Sequence, residues 1–178
     1  MQKFEEYFIG ALQDAYVDEK RNEIQLYQKN KEWLDFINAN LKKDYGITGK
    51  IFKRDVYLLR KRSKAFVLKI KEAKTRMNSF GADFVAGLFD SEGSVYLSTK
   101  SKIPIIDVTQ SEKGLEYLKC AQKILMENGI DSKLNGPYKH KHGKLLQYHL
   151  RIYGNKKCGI FFRLIPIYYK NKFEKCSF

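Results

Sequence analysis

Cysteine is scarce in this chain, and its distribution excludes two roles. Cys120, Cys158 and Cys176 are an odd number with no C-x-x-C spacing. They lay out neither a disulfide framework nor a zinc site. His140, His142 and His149 cluster near one predicted turn but have no matching cysteine pair, so surface or groove-facing roles suit them better. Long apolar runs are missing too. None approaches the ~20 residues that a membrane span needs, and the N-terminus is acidic and amphipathic, with no signal-peptide core. These absences predict a soluble, intracellular protein of the cytoplasm or an organelle matrix, with no membrane partner.

Acidic residues are the other shortage. Asp plus Glu number 20 against 34 Lys plus Arg, a formal net charge of +14. The basic residues are spread along the chain rather than gathered in a tail, and Tyr and Phe number 12 each. A folded, basic, aromatic-rich chain suits a polyanionic partner, most often nucleic acid. The 178 residues suffice for one core or for two small subdomains sharing one.

One stretch organises the rest. Residues 84–97 read Phe-Val-Ala-Gly-Leu-Phe-Asp-Ser-Glu-Gly-Ser-Val-Tyr-Leu. Gly87 and Ser91 are four residues apart and share a helix face, and small residues there let two backbones approach closely. The segment then delivers Asp90 and Glu92 and reaches Gly93, which is expected to end the helix in the left-handed conformation. Glu92 sits at a helix C-terminus, where the macrodipole disfavours negative charge. A divalent cation would offset that penalty.

A weaker copy of this helix opens the chain, over Phe4–Asp14, with Gly10 in the place of Gly87. Alternation then predicts a strand over Asn22–Gln28. A helix follows from Lys31 to about Tyr45, capped by Asn30 and ended by Gly46. Strands over Lys50–Lys53 and Val56–Arg62 and a helix over Lys64–Met77 complete the first half. The second half replays this order. Strands are predicted over Ser94–Lys100 and Ile103–Gln110. A helix opened by Ser111 and Glu112 runs to about Asn128 and is ended by Gly129. Strands over Ser132–Tyr138 and Leu145–Tyr153 flank a basic turn, and Asn155 caps a last helix through Ile165. The halves divide at 1–79 and 80–178.

Alternation also sorts the strand faces. Ile24, Leu26, Tyr57, Leu59, Ile106, Val108, Leu146, Tyr148, Leu150 and Ile152 face inward. Glu23, Gln25, Tyr27, Arg60, Arg62, Asp107, Thr109, Gln147, His149, Arg151 and Tyr153 face outward. The outward set holds side chains that read base edges in a major groove. Gln25, Tyr27, Arg60, Arg62, Gln147, His149 and Arg151, with Lys53, Tyr96, Ser98 and Lys100, form the candidate DNA-binding surface, and Lys139, Lys141 and Lys144 in the basic turn are candidate phosphate contacts.

Residues 85–93, Val-Ala-Gly-Leu-Phe-Asp-Ser-Glu-Gly, resemble the LAGLIDADG motif position by position. The resemblance is to the single-chain, two-motif homing endonucleases, with a degenerate first motif. It implies an α+β fold: a pseudo-twofold duplicated αββαββα arrangement with two saddle-like, four-stranded antiparallel sheets and paired central motif helices. It further implies an intron- or intein-associated monomer that cuts a long double-stranded DNA site by hydrolysis dependent on Mg²⁺ (or Mn²⁺). On that resemblance Glu92 is a metal ligand, Gln28 and Gln110 line the site, and Lys29 is a candidate site lysine.

The chain departs from the family at the mate of Glu92. With Gly10 placed on Gly87, Ala15 falls on Glu92 and Tyr16 replaces the final glycine. Asp14 comes one residue early, about 100° around a helix. It serves only if the helix ends early and unwinds, and Asp18 and Glu19 are the other acids within reach. An endonuclease, a nickase, and a non-cleaving relative binding DNA or, maturase-like, structured RNA are the readings left open.

Overall fold

Two helices with almost no side chain between them form the axis of the molecule. In the computed structural model, which describes residues 3–139 and 144–169, α1 (Lys3–Ala11) lies against α4 (Ala82–Glu92). A Cβ added at Gly10 would collide with the Phe84 carbonyl and sit 2.7 Å from the Leu88 nitrogen. One added at Gly87 would collide with the Tyr7 carbonyl and sit 3.0 Å from the Ala11 nitrogen. The contacts are reciprocal, with residues 7, 10 and 11 answering to 84, 87 and 88. That is the signature of an approximate twofold axis through the seam. Only glycine allows this approach.

Each helix is followed by a four-stranded antiparallel sheet. The first contains β1 (Ala15–Asp18), β2 (Glu23–Gln28), β3 (Lys50–Lys53) and β4 (Tyr57–Arg62), in the order β1-β2-β4-β3. The second contains β5 (Gly93–Leu97), β6 (Pro104–Ser111), β7 (Lys133–Lys139) and β8 (Leu146–Tyr153), in the order β5-β6-β8-β7. Helices α2 (Lys31–Tyr45), α3 (Lys64–Thr75), α5 (Leu115–Glu127) and α6 (Asn155–Leu164) cover their inner faces. The α+β duplication implied by the motif is therefore present.

The core is continuous across both halves. Phe8, Leu26, Leu34 and Leu59 belong to one buried cluster with Phe84, Phe89, Val108 and Phe161. Polar links reinforce the seam. Glu6 of α1 accepts a hydrogen bond from the Gly81 nitrogen at 2.7 Å, supplying a carboxylate to the N-terminus of α4. The Tyr7 hydroxyl donates to buried Asp90 at 2.7 Å and accepts from the Trp33 indole at 2.6 Å, while the Tyr168 nitrogen also donates to Asp90. Burial and the Asp90 charge push the Tyr7 phenol well above its ordinary range. No helix among the described residues is long and apolar enough to cross a membrane.

Several sequence expectations hold, and others need correction. Asn30 caps α2 by accepting from the Trp33 nitrogen at 2.7 Å, and Gly46 ends that helix with φ +65°. Gly93, in contrast, is extended, with φ −78° and ψ 153°. It is there for space, because a Cβ would collide with the Phe89 ring and carbonyl. The helix passes straight into β5. Ser111 belongs to β6, and a short 3₁₀ turn over Glu112–Gly114 precedes α5. Asn155 is the first residue of α6, and the cap position belongs to Gly154, with φ 93°. Helix α1 stops at Ala11 rather than Asp14, and β1, which the pattern did not disclose, begins at Ala15.

Candidate catalytic centre and nucleic-acid interface

The early end of α1 changes the register of the first motif. Gln28 stands opposite Tyr57 in the first sheet, and Gln110 opposite Tyr148 in the second. Counting back two residues, Leu26 answers to Val108. Their partners on the edge strands are Ala15 and Gly93. Ala15 therefore corresponds to Gly93, and the residues immediately before the two strands are Asp14 and Glu92. Four residues separate Gly10 from Ala15, and five separate Gly87 from Gly93. The missing residue is absorbed by a 3₁₀ turn over Leu12–Asp14. Three 3₁₀ residues rise about 6 Å and turn about 360°; four α-helical residues rise about 6 Å and turn about 400°. The backbone position of Asp14 is thus brought back into correspondence with that of Glu92.

Asp18 and Glu19 lie elsewhere. Asp18 is at the far end of β1, opposite Glu23, and accepts from the Arg21 nitrogen at 3.0 Å in the hairpin turn. Glu19 pairs with Lys71 at 2.7 Å. Neither reaches the motif ends, because β1 carries them away from the seam.

Gln28 and Gln110 occupy equivalent positions at the ends of β2 and β6 nearest the motif helices. The Gln28 side chain accepts from the Lys29 nitrogen at 2.8 Å, which places Lys29 beside it. Gln110 is buried against Gly114. The Asp14 side chain lies outside the described ones, so its correspondence with Glu92 is one of backbone position. Mg²⁺ commonly takes one or two protein carboxylates and completes its shell with water and phosphate oxygens. Among the described residues no group of three or more His, Cys, Asp or Glu could hold a metal unaided.

The outer sheet faces carry the predicted polar rows, and in each the residues converge on a buried acid. In the first sheet Arg60 and Arg62 meet Glu23 at 2.7 and 2.6 Å, Gln25 also donates to Glu23, and the Tyr27 hydroxyl donates to Gln25. In the second, Arg151, Tyr96 and His149 meet Asp107 at 2.9, 2.9 and 3.0 Å. Gln147 stands opposite Ser111 on the same face. Glu23 and Asp107 were expected to face outward, but nothing in the alternation marked them as buried hubs. The only sequence signal was the oddity of an acid in a basic row.

Aromatic side chains also line these faces, Tyr27 and Tyr153 among them as the alternation predicts. Tyr16, Tyr27 and Phe52 on one sheet, and Tyr96, Tyr138 and Tyr153 on the other, remain exposed. Buried Leu58 lies between Tyr27 and Phe52, and buried Ile105 between Tyr96 and Tyr153, as their cross-strand partners.

Other candidate contacts are not on these faces. Lys53 is paired with Tyr57, its ammonium 4.0 Å from the ring centroid, and shares that residue's inward-directed face at the sheet edge. Lys139 pairs with Leu146 at the end of β7. Ser98 closes the turn after β5 by accepting from the Ile103 nitrogen at 3.1 Å, and Lys100 is exposed in that turn. Lys141 lies outside the described residues.

Comparison with known proteins agrees with this geometry. Residues 79–166 match the family described as LAGLIDADG-like domain. The structure is similar to mesophilic variants of the homing endonuclease I-DmoI, with TM-score 0.66, 20% identity, and 92% of this chain and 95% of that one covered. It is similar to the homing endonuclease I-WcaI bound to its DNA recognition sequence, with TM-score 0.66, 17% identity and 96% and 86% covered. It also resembles the N-terminal LAGLIDADG domain of DUF199/WhiA, with TM-score 0.62, 16% identity and 95% and 85% covered. A curated relative from Campylobacter curvus (strain 525.92), named adenine phosphoribosyltransferase, is 27% identical over 136 residues. That alignment takes in 75% of this chain but 65% of the relative, so the chain spans less than two thirds of that protein's length.

Proposed function

We propose that this protein is a site-specific, homing-type endonuclease of double-stranded DNA, on the premise that residues 79–166 match the LAGLIDADG-like domain and that the whole chain has the fold of the homing endonucleases it resembles. The observation that carries the proposal is the equivalence of Asp14 and Glu92. Each immediately precedes the first strand of its sheet, at the end of one of two paired helices.

Asp14 and Glu92 are the residues that would hold Mg²⁺ or Mn²⁺. When bound, the metal supplies an activated water and stabilises the leaving oxygen of the phosphodiester. Gln28 and Gln110 flank the two acids and orient the water or the phosphates. Lys29 adds positive charge beside the scissile region. Gln25, Arg60, Arg62, Gln147, His149 and Arg151 read base edges, while lysines outside the sheet faces contact phosphate. Because both motifs are on one chain, the protein works as a monomer, with 1–79 and 80–178 as its two DNA-facing halves.

The name of the curated relative suggests a different chemistry, purine phosphoribosyl transfer. Phosphate cradles of that kind are commonly glycine-rich loops at a helix N-terminus. No two glycines in this chain are closer than three residues, so the sequence offers no such loop.

The test is incubation of supercoiled DNA carrying a selected binding site with and without Mg²⁺, scored for nicked and linear product. Metal-dependent linear DNA from the wild type, lost in Glu92→Gln while binding persists, is the expected result. A wild type that binds its site tightly and yields only nicked circles identifies a nickase. One that yields no product supports the non-cleaving reading, which the degenerate first motif favours, with Ala15 and Tyr16 where the second motif has Glu92 and Gly93 along the helix register.

A further inference from the structure

Both outer sheet faces, the surfaces read above as meeting DNA, carry a carboxylate at their centre. Glu23 is fully buried there and Asp107 nearly so. An acid on such a face repels phosphate and gives up its hydration, so net charge does not explain it. Its partners do. Glu23 accepts from Nε of Arg62 and Nη2 of Arg60, across the two central strands, and from Gln25. Asp107 accepts from Nε of Arg151 across the central strands and from the Tyr96 hydroxyl on the edge strand β5, and lies 3.0 Å from His149 Nδ1. The hydrogen bond from Arg60, outweighing the opposing effect of burial, holds the Glu23 carboxyl down to about 2.

We infer that Glu23 and Asp107 are specificity-determining positioning residues, each fixing the guanidinium groups that read one half of the DNA target. The inference rests on the DNA-reading function proposed above. An arginine on a long exposed stem samples many rotamers and contacts phosphate wherever it finds it. Anchored at Nε, as Arg62 is, it is held by one edge rather than by the terminal Nη pair; Arg151 is anchored at Nε with its Nη2 3.2 Å from His149 Nδ1, and Arg60 is held through one Nη alone. The terminal Nη pair is the fork that matches O6 and N7 of guanine. Each acid thus exchanges some general attraction for directed contact, and each acts only within its own sheet.

The experiment uses the full chain, a library of randomised duplexes, and titration of the selected and scrambled duplexes, with thermal melts alongside. Glu23→Gln should reduce discrimination about tenfold at each guanine read by the first sheet and leave the other half of the site unchanged. Asp107→Asn should do the reverse. Affinity for scrambled duplex should stay level or rise, since a negative charge has been removed. Unchanged preference in both variants overturns the inference. So does a uniform loss of affinity for selected and scrambled DNA together with a lowered melting temperature, which is what a purely structural role would produce. If Glu23→Gln fails to fold, Arg62→Lys takes its place. It keeps the charge but lacks the fork, and should relax preference at the same base pairs; unchanged preference there also overturns the inference. A wild type that selects no duplex sequence removes the DNA-reading function itself. Selection by the wild type with unaltered variants removes only the role of the two acids.

Discussion

The two halves of this molecule reach the same backbone arrangement from different sequences. The second half does it by the regular route: eleven residues of α-helix, the last of them an acid, and then a glycine that enters the strand directly. The first half has one residue fewer after its packing glycine and replaces the last helical turn by a 3₁₀ turn. The comparison teaches that correspondence between repeats can hold in space while failing in an alignment. Motif helices can be matched at the glycine seam or at the strand register, and in the first half these two matches differ by one residue.

The seam offers the severest way to break that equivalence. Gly87→Leu and Gly10→Leu should be equally damaging, because each glycine faces the other helix's backbone. Overpacking of this kind should cost about 3 kcal/mol or more, lowering the melting temperature by roughly 6–12 °C in a chain of this size. A neutral melt for either variant would show that the two sides are not reciprocal.

Catalysis tests the register next. Glu92→Gln and Asp14→Asn should each reduce metal-dependent cleavage by at least about 100-fold, since even partners one step removed from a metal commonly cost 10–100-fold. If Asp14→Asn cuts as the wild type does, the 3₁₀ turn has not restored the second acid. The readout is linear product per unit time at saturating DNA.

Acid unfolding then sharpens the contrast between the sheets, where Glu23 has two arginines and Asp107 an arginine and a histidine. The Glu23 carboxyl is held at about 2, against an ordinary 4.5. A depressed pKa stabilises the fold where the unfolded chain's carboxyl is already ionised. That contribution is complete above about pH 4.5 and disappears as pH falls towards 2. Glu23→Gln should therefore flatten the acid limb of the stability curve in that window, as followed by denaturant titration at stepped pH. An unaltered limb would disconnect the ion cluster from stability.

The smallest expected difference concerns the outer helices. Asn30 caps α2 with its side chain, whereas α5 has no side-chain cap and begins from a 3₁₀ turn. Asn30→Ala should cost about 1 kcal/mol, and Ser111→Ala should fall within about 0.5 kcal/mol of the wild type. Equal costs would mean that the asymmetry in capping has no energetic weight.

Much of the architecture was legible because it rests on periodic burial and on glycine. Gly10 and Gly87 announced the seam, and the alternation of Leu146 to Ile152 announced β8 and its faces. What escaped notice depends on exchanges that a local window does not contain. Strand β1 has four residues and gains its identity from pairing with β2, so no alternation revealed it. The end of α1 depends on how far the chain must travel to meet Leu26. Gly93 suggested a left-handed cap, yet its real constraint is the Phe89 ring one turn behind it. Glu23 looked like a solvated residue on an exposed face, because the arginines that enclose it come from a strand more than thirty positions away.

A backbone-to-backbone seam has little slack. Helices cushioned by leucine can slide as rotamers change, but Gly10 and Gly87 leave only peptide groups in contact, and peptide groups do not repack. The backbone spacing between the ends of the two motif helices is therefore a fixed gauge, set by the main chain rather than tuned by side-chain substitution.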